Sequence, residues 1–133
     1  HGPTYNKKYP LEFEKFTPVC TTVEMSKAVP SELMNAYDNS ILYTDYLIHS
    51  VIEILKDIPQ VRSCMLYVSD HGESLGENNL YMHGVPMSIA PKEQIEIPFI
   101  VWTSEDNIKI KDSQASHYHV FHSINPLPAS VPG

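Results

Sequence analysis

The sequence has 133 residues, enough for one domain, and its 16 Asp and Glu residues outnumber its 9 Lys and Arg residues, for a formal charge of −7. This acidic charge, without a cluster of basic residues, argues against nucleic acid as a partner. No apolar run reaches the length of about 18 residues that crosses a bilayer, and no charged-then-apolar leader opens the chain. The ends, HGPTY and INPLPASVPG, lead us to expect a piece of a larger protein.

A long helix is the clearest predicted element, and it follows an irregular N-terminal stretch that contains several prolines. Apolar residues recur at spacings of three and four from Leu33 to Ile58, and Ser31 and Pro59 are the expected cap and stop. The polar residues Asp38, Asn39 and Asp45 are interpreted as the wet face of this helix.

Two short apolar runs, CMLYVS and IEIPFIVW, come after the helix. Neither run alternates with polar residues, which is typical of parallel strands that are covered on both faces. The order of helix, strand, polar loop and strand predicts an α/β layer protein. Because two or three strands make a poor parallel sheet, we expect neighbouring strands outside the given sequence.

The first strand runs into the segment SDHGESLGENNLYMHG, which is rich in acidic, histidine and glycine residues. Ligands of open α/β sheets gather at the carboxyl ends of strands, where Asp70 and His71 stand side by side. Beyond the strand end the backbone can turn both side chains toward one point, and Gly72 permits the unusual dihedral angles of such a turn. An Asp oxygen with a His nitrogen suits Zn²⁺ or Mn²⁺ better than Ca²⁺. A catalytic zinc ion usually has about three protein ligands, so the remaining ligands must come from elsewhere.

Five segments carry a resemblance to a known family: HGPTYNKKYP, FTPVC, AYDNSILYTDYLI, SDHGESLGENNLYMHGVPMSIAPKEQ and PFIVW. They resemble the catalytic domain of bacterial phosphoethanolamine transferases, in the alkaline-phosphatase and sulfatase-like superfamily. The resemblance implies an α/β sandwich with a largely parallel central sheet, of which residues 1–123 form the C-terminal part and residues 124–133 an irregular, proline-rich tail. It also implies a periplasmic domain of a bacterial inner-membrane protein, whose membrane contact is made by N-terminal helices outside this sequence.

The resemblance further implies a zinc-dependent transferase that moves phosphoethanolamine from phosphatidylethanolamine to lipid A or another envelope glycan through a phosphorylated threonine. Asp70 and His71 match zinc ligands, and His1 and His83 match catalytic residues that bind the phosphoryl group or a second zinc ion. Glu73 is expected to bind substrate or to support the metal ligands from outside. The family's threonine nucleophile and glutamate ligand precede the HGP motif, so this chain is expected to hold half of a catalytic site and to be inactive alone.

Other interpretations stay open at this point. A related sulfatase or phosphoglycerol transferase is the alternative among enzymes, and a non-catalytic metal-binding fragment is the alternative outside them. A second group of metal-ligand type, formed by His117, His119 and His122, lies near the end of the chain. The family commonly has Asp or Asn at the position of His119, so this residue is a departure from its pattern.

The two cysteines give a further departure from the family. The cysteine that matches Cys20 usually pairs with a second cysteine at the position of Ala28, so that bridge cannot form here. Two alternatives remain, a Cys20–Cys64 disulfide and two free thiols, and the expected burial of Cys64 at the start of a strand favours free thiols.

Overall fold

The structure is a computed structural model that describes residues 2–105, 114–118 and 120. Its helices and strands, in chain order, are α1 (Pro30–Lys56), β1 (Cys64–Val68), β2 (Ser74–Leu75), β3 (Tyr81–Met82), α2 (Lys92–Ile95) and β4 (Phe99–Thr103). Four short 3₁₀ turns accompany them, at Tyr5–Lys7, Leu11–Phe13, Met25–Lys27 and Glu77–Asn79. Within the described residues, no helix combines the length and the apolar content that a membrane-crossing segment requires.

Helix α1 begins one residue before its predicted cap. Val29 is the capping residue and Pro30 occupies the first helical position, so the prediction of Ser31 as the cap is wrong. Proline suits this position because its fixed φ is already helical and because the N–H that it lacks would have no partner inside the helix. The helix ends at Lys56, before Pro59, as the sequence pattern predicts.

The described core lies on the N-terminal half of α1. Its buried members are Tyr5, Cys20, Met25, Leu33 and Ala36. The predicted apolar stripe continues further, but Ile41 is 49% exposed and Val51 is 44% exposed. An apolar period indicates which face of a helix can be buried, whereas in the described structure the buried core includes only Leu33 and Ala36 of this helix.

Asn39 fastens the segment before α1 onto the helix. Its side chain is 0% exposed. Its Oδ1 accepts hydrogen bonds from the backbone N–H groups of Lys15 at 2.8 Å and Phe16 at 2.9 Å, and its Nδ2 donates to the carbonyl oxygen of Phe16 at 2.9 Å. The assignment of Asn39 to the wet face of the helix is therefore wrong, because the preceding segment folds over it and uses its amide.

Strands β1 and β4 form an antiparallel pair, in which Cys64 lies opposite Thr103 and Val68 lies opposite Phe99. The parallel pairing predicted for these two strands is wrong, because an unalternating apolar run indicates cover on two faces and carries no information about strand direction. The connection between the two strands, residues 69–98, contains the short antiparallel β2–β3 hairpin. This connection holds the segment that is rich in acidic and histidine residues.

Both cysteines are free thiols. Cys20 is buried in the core, whereas Cys64 is exposed at the start of β1, so the expected burial of Cys64 is wrong. Of the two alternatives left by the sequence, the structure has two free thiols.

We predict that Asn39→Ala releases the segment before α1. The Phe16 amide then loses its side-chain acceptor, and its hydrogen exchange should accelerate by about tenfold or more, as expected for the loss of one hydrogen bond of ~1.4 kcal/mol. Hydrogen-exchange mass spectrometry of the full-length protein measures this rate. Asn35→Ala is the matched control, because Asn35 donates only to the carbonyl oxygen of Pro18 at 2.9 Å. Equal exchange rates in the two variants would contradict the prediction.

Candidate active site

The loop that leaves β1 brings the side chains of Asp70 and His71 together. Asp70 Oδ1 accepts a hydrogen bond from the backbone N–H of His71 at 3.1 Å. Ser69 Oγ donates to the carbonyl oxygen of His71 at 2.8 Å, which fixes the turn. The second oxygen of Asp70, Oδ2, lies 3.6 Å from Nε2 of His71. The two side chains therefore face one point just beyond the end of the strand.

The His71 ring is oriented by its own loop. Its Nδ1 lies 2.8 Å from the carbonyl oxygen of Gly72, and because a carbonyl only accepts, Nδ1 carries a proton. In the neutral ring the lone pair is then on Nε2, on the side of Asp70, which is the arrangement that metal-binding histidines commonly adopt. Donor atoms at about 2.0–2.1 Å from a tetrahedral zinc ion lie about 3.3 Å from each other. The Asp70–His71 separation of 3.6 Å is close to this spacing, so the pair fits zinc.

The charge state of Asp70 suits the same interpretation. Desolvation raises the pKa of its carboxyl group, but the charge of His71 and the hydrogen bonds from the backbone N–H groups of Asp70 and His71 outweigh that effect, so the pKa lies below its usual value. The deprotonated carboxylate is the form that binds a metal ion.

Glu73 is the buried acid of the site, with a side chain that is 6% exposed. Its Oε1 lies 2.5 Å from Nδ1 of His83, and its Oε2 accepts a hydrogen bond from the hydroxyl group of Tyr5. Because a carboxylate only accepts hydrogen bonds, Nδ1 of His83 carries a proton. Burial, followed by the hydrogen bond to Glu73, raises the pKa of the Tyr5 phenol, which keeps this hydroxyl group protonated as a donor.

His71 and His83 lie against each other beside Glu73. Their rings stack with centroids 3.7 Å apart and planes inclined by 29°. Donor atoms of His71, Glu73 and His83 all lie within 4.8 Å of one another. These three residues form a further group that could hold a cation, and this group shares His71 with the Asp70–His71 pair.

His83 leaves the β2–β3 hairpin through a turn of unusual backbone conformation. Met82, directly before it, has a φ of 66°, and Gly84, directly after it, has a φ of 92°. A left-handed conformation costs a residue with a side chain about 1–2 kcal/mol. Such a conformation persists where surrounding contacts determine it, and here the bond to Glu73 holds the imidazole in place.

Gly72 allows α2 to approach the site loop. Its N–H donates to the carbonyl oxygen of Gln94 at 3.1 Å, and Gln94 Nε2 donates to Ser74 Oγ at 2.8 Å. A Cβ atom on Gly72 would lie 1.9 Å from the carbonyl oxygen of Glu93. The structure therefore requires glycine at this position for close approach, rather than for the unusual dihedral angles that the sequence led us to expect.

A pocket of about 210 Å³ opens beside the two histidines. Its lining includes the apolar residues Val85, Met87 and Ile95 as well as His71 and His83. A substrate that reaches the histidines from this side therefore passes apolar side chains, as is usual in binding pockets.

A profile of the sulfatase family matches residues 1–127 of the chain. The chain belongs to the sulfatase family. This assignment confirms the family resemblance and the sulfatase-like α/β fold expected from the sequence motifs.

Solved structures and curated relatives of this sulfatase-family chain include phosphoethanolamine transferases. The crystal structure of the C-terminal periplasmic domain of phosphoethanolamine transferase EptC from Campylobacter jejuni is 54% identical, with a TM-score of 0.77, over 80% of this chain and 34% of that one. The integral membrane protein lipooligosaccharide phosphoethanolamine transferase A from Neisseria meningitidis is 48% identical, with a TM-score of 0.76, over 79% of this chain and 20% of that one. Phosphoethanolamine transferase EptA of Helicobacter pylori is 52% identical over 79% of this chain. The chain spans 20% of the length of that last relative.

The structure brings Asp70, His71, Glu73 and His83 into one group. His1, the other predicted catalytic and substrate-binding residue, lies outside the described residues, as do His119 and His122. His117, from the second histidine group, lies with its Nε2 2.7 Å from the carbonyl oxygen of Ser69, directly before Asp70.

Two residues of the site, Tyr5 and Gln94, are absent from the sequence-based candidates. Each lies in a segment that carries the family resemblance, HGPTYNKKYP for Tyr5 and the PKEQ end of the long motif for Gln94. Tyr5 contacts Glu73, which lies 68 residues later in the sequence. Gln94 contacts Gly72 and Ser74, which precede it by about 20 residues. The family motifs include these two positions, but residue spacing alone does not predict which residue either side chain contacts.

We predict that Gly72→Ala destabilises the site loop more than Gly84→Ala. The added methyl group at position 72 meets a backbone carbonyl, and displacing it should lower the free energy of unfolding by about 3 kcal/mol or more. At Gly84 a Cβ atom meets nothing within 4 Å, so only its φ of 92° opposes alanine. That variant should lose about 1–2 kcal/mol. Urea denaturation of the full-length variants gives both values, and an equal loss would show that α2 does not approach Gly72 closely.

Proposed function

We propose that this chain forms part of the catalytic site of a zinc-dependent transferase that moves phosphoethanolamine from phosphatidylethanolamine to lipid A or another envelope glycan. The observation that carries the proposal is the convergence of a metal-type pair, Asp70 and His71, with an imidazole held by a buried acid, His83 and Glu73. The names of the relatives supply the transferred group and, for the Neisseria meningitidis protein, a lipooligosaccharide acceptor.

Asp70 and His71 would hold the zinc ion through Oδ2 and Nε2, the two atoms that face each other. Zinc bound there would activate the nucleophile and offset negative charge on the phosphoryl oxygens. The nucleophile is proposed to be a threonine from another part of the protein, which is phosphorylated in the first half of the reaction. None of the four grouped residues carries a hydroxyl nucleophile, so we propose that they bind and orient the reacting groups and transfer protons. These residues are Asp70, His71, Glu73 and His83.

His83 is proposed to contact the phosphoryl group directly. With a proton on Nδ1 held by Glu73, its Nε2 is the nitrogen that can donate to a phosphoryl oxygen or to a departing alkoxide when the ring is charged. Proton transfer of this kind contributes about 10²–10⁴-fold to a rate. His1 is proposed as a second group that binds the phosphoryl oxygens or a second zinc ion.

Glu73 is proposed to act on substrate through His83 rather than by direct contact. Its side chain is 6% exposed, and its two oxygens are engaged by His83 and Tyr5. The sequence led us to expect that Glu73 binds substrate, and we propose that it contributes to substrate binding only indirectly.

We also propose a periplasmic location at the inner membrane for the whole protein. The Campylobacter jejuni structure is of a periplasmic domain, and the Neisseria meningitidis relative is an integral membrane protein. A lipid donor and a lipid-linked acceptor both lie at a membrane surface, so membrane contact through N-terminal helices would bring the catalytic site to its substrates.

The direct test uses the full-length protein with vesicles that contain phosphatidylethanolamine labelled in its phosphoryl group, together with lipid A. The label should appear first on a threonine of the protein and then on lipid A, as followed by mass spectrometry. An aryl sulfate and a phosphatidylglycerol vesicle serve as competing substrates. Turnover of either of them, with no transfer of phosphoethanolamine, would instead support a sulfatase or a phosphoglycerol transferase.

We predict that Asp70→Asn and His83→Ala in the full-length protein fail in different ways. Asp70→Asn removes a negative ligand, so the zinc content should fall and both halves of the reaction should stop. His83→Ala should keep the tightly bound zinc, while threonine phosphorylation slows by about 10²–10⁴-fold. Zinc per molecule and single-turnover rates distinguish these outcomes. Full zinc in the Asp70 variant, or loss of the tightly bound zinc in the His83 variant, would reverse the two assignments.

A further inference from the structure

Tyr5 joins the site from a distant part of the sequence, 68 residues before Glu73. The residue lies in the Tyr5–Lys7 turn, and only 2% of it is exposed. Its ring meets the Tyr37 ring edge-on, with centroids 5.4 Å apart and planes at 87°. A Cβ atom on Gly2 would lie 2.9 Å from the Tyr5 hydroxyl oxygen, so the backbone closes over this group. The phenol is therefore held in one position by its surroundings.

The Glu73 carboxylate needs more than one partner to be fixed. The terminal torsion of a glutamate side chain has only a broad preference, so a single hydrogen bond leaves the carboxylate plane free to turn. His83 engages Oε1 and Tyr5 engages Oε2, so the two contacts together set the plane. Burial raises the pKa of Tyr5, which keeps its hydroxyl group as a donor to Glu73 at neutral pH.

We propose that Tyr5 is a positioning residue for His83, which acts by fixing the Glu73 carboxylate that holds the proton on Nδ1 of the imidazole. The inference deepens the proposed function, on which it rests for the part that His83 takes in group transfer. The hydrogen-bond chain from Tyr5 to His83 is a property of the fold and stands apart from that function.

The test compares Tyr5→Phe with Tyr9→Phe in the full-length protein. Each change removes one hydroxyl group from a buried ring in the same N-terminal segment. Tyr9 is a matched control because its hydroxyl group contacts Glu14 and Asn39 instead of Glu73. The first readout is the tautomer of His83, observed in ¹⁵N-histidine NMR spectra and assigned by the loss of its signals in His83→Gln. The second readout is kcat and KM for transfer from phosphatidylethanolamine vesicles.

In the wild type and in Tyr9→Phe we expect a single His83 tautomer with the proton on Nδ1. In Tyr5→Phe we expect a mixture of the two tautomers, because the freed carboxylate can turn away from the ring. The kcat of Tyr5→Phe should fall by about 10–100-fold, as is typical when a partner of a functional group is removed, with KM changed by less than about twofold. Tyr9→Phe should retain the wild-type kcat.

Two results would overturn the proposal. One is an unchanged His83 tautomer in Tyr5→Phe, and the other is an equal loss of kcat in Tyr5→Phe and Tyr9→Phe, which would indicate a general effect of losing a buried hydroxyl group. If the wild-type protein transfers no phosphoethanolamine, the proposed function fails while the NMR comparison still decides the role of Tyr5. A failed Tyr5 proposal with active wild-type protein leaves the proposed function intact.

Discussion

The buried carboxylate of Glu73 is the interaction on which the site depends. It accepts hydrogen bonds from Tyr5, in the segment before α1, and from His83, in the loop after β3. A charge removed from water is costly unless hydrogen bonds compensate it, so these two donors are required by the burial itself. The hydrogen bonds that compensate the burial of this charge therefore also join two distant segments and orient the imidazole.

Much of the site follows from local rules in the sequence. An apolar run that ends in Asp70 and His71 predicts a strand with metal-type side chains at its carboxyl end, and the structure has β1 followed by this pair. The helical period from Leu33 and the stop at Pro59 likewise predict α1, which ends at Lys56. These features depend on neighbours within a few residues, so periodicity, strand ends and proline are sufficient to find them. The sulfatase-like α/β fold was predicted from the family resemblance of the sequence motifs rather than from such local rules.

The features that the sequence rules missed depend on contacts between distant segments. Strand direction in the β1–β4 pair is set by how residues 69–98 connect the strands, which an apolar run does not encode. The burial of Asn39 depends on the segment that folds over it, and the need for glycine at position 72 depends on the carbonyl oxygen of Glu93. Tyr5 shows the same limit, because nothing within its own segment identifies Glu73 as its partner.

We propose that the loop after β1 holds a metal ion between Asp70 and His71, and that the hydrogen bond to Glu73 keeps His83 apart from it. Anomalous X-ray diffraction at the zinc absorption edge, from crystals of the full-length protein grown with zinc, locates that ion directly. The account predicts a strong anomalous peak within bonding distance of Asp70 Oδ2 and His71 Nε2. A main peak between Glu73 and His83, with no density at the Asp70 carboxylate, would contradict it.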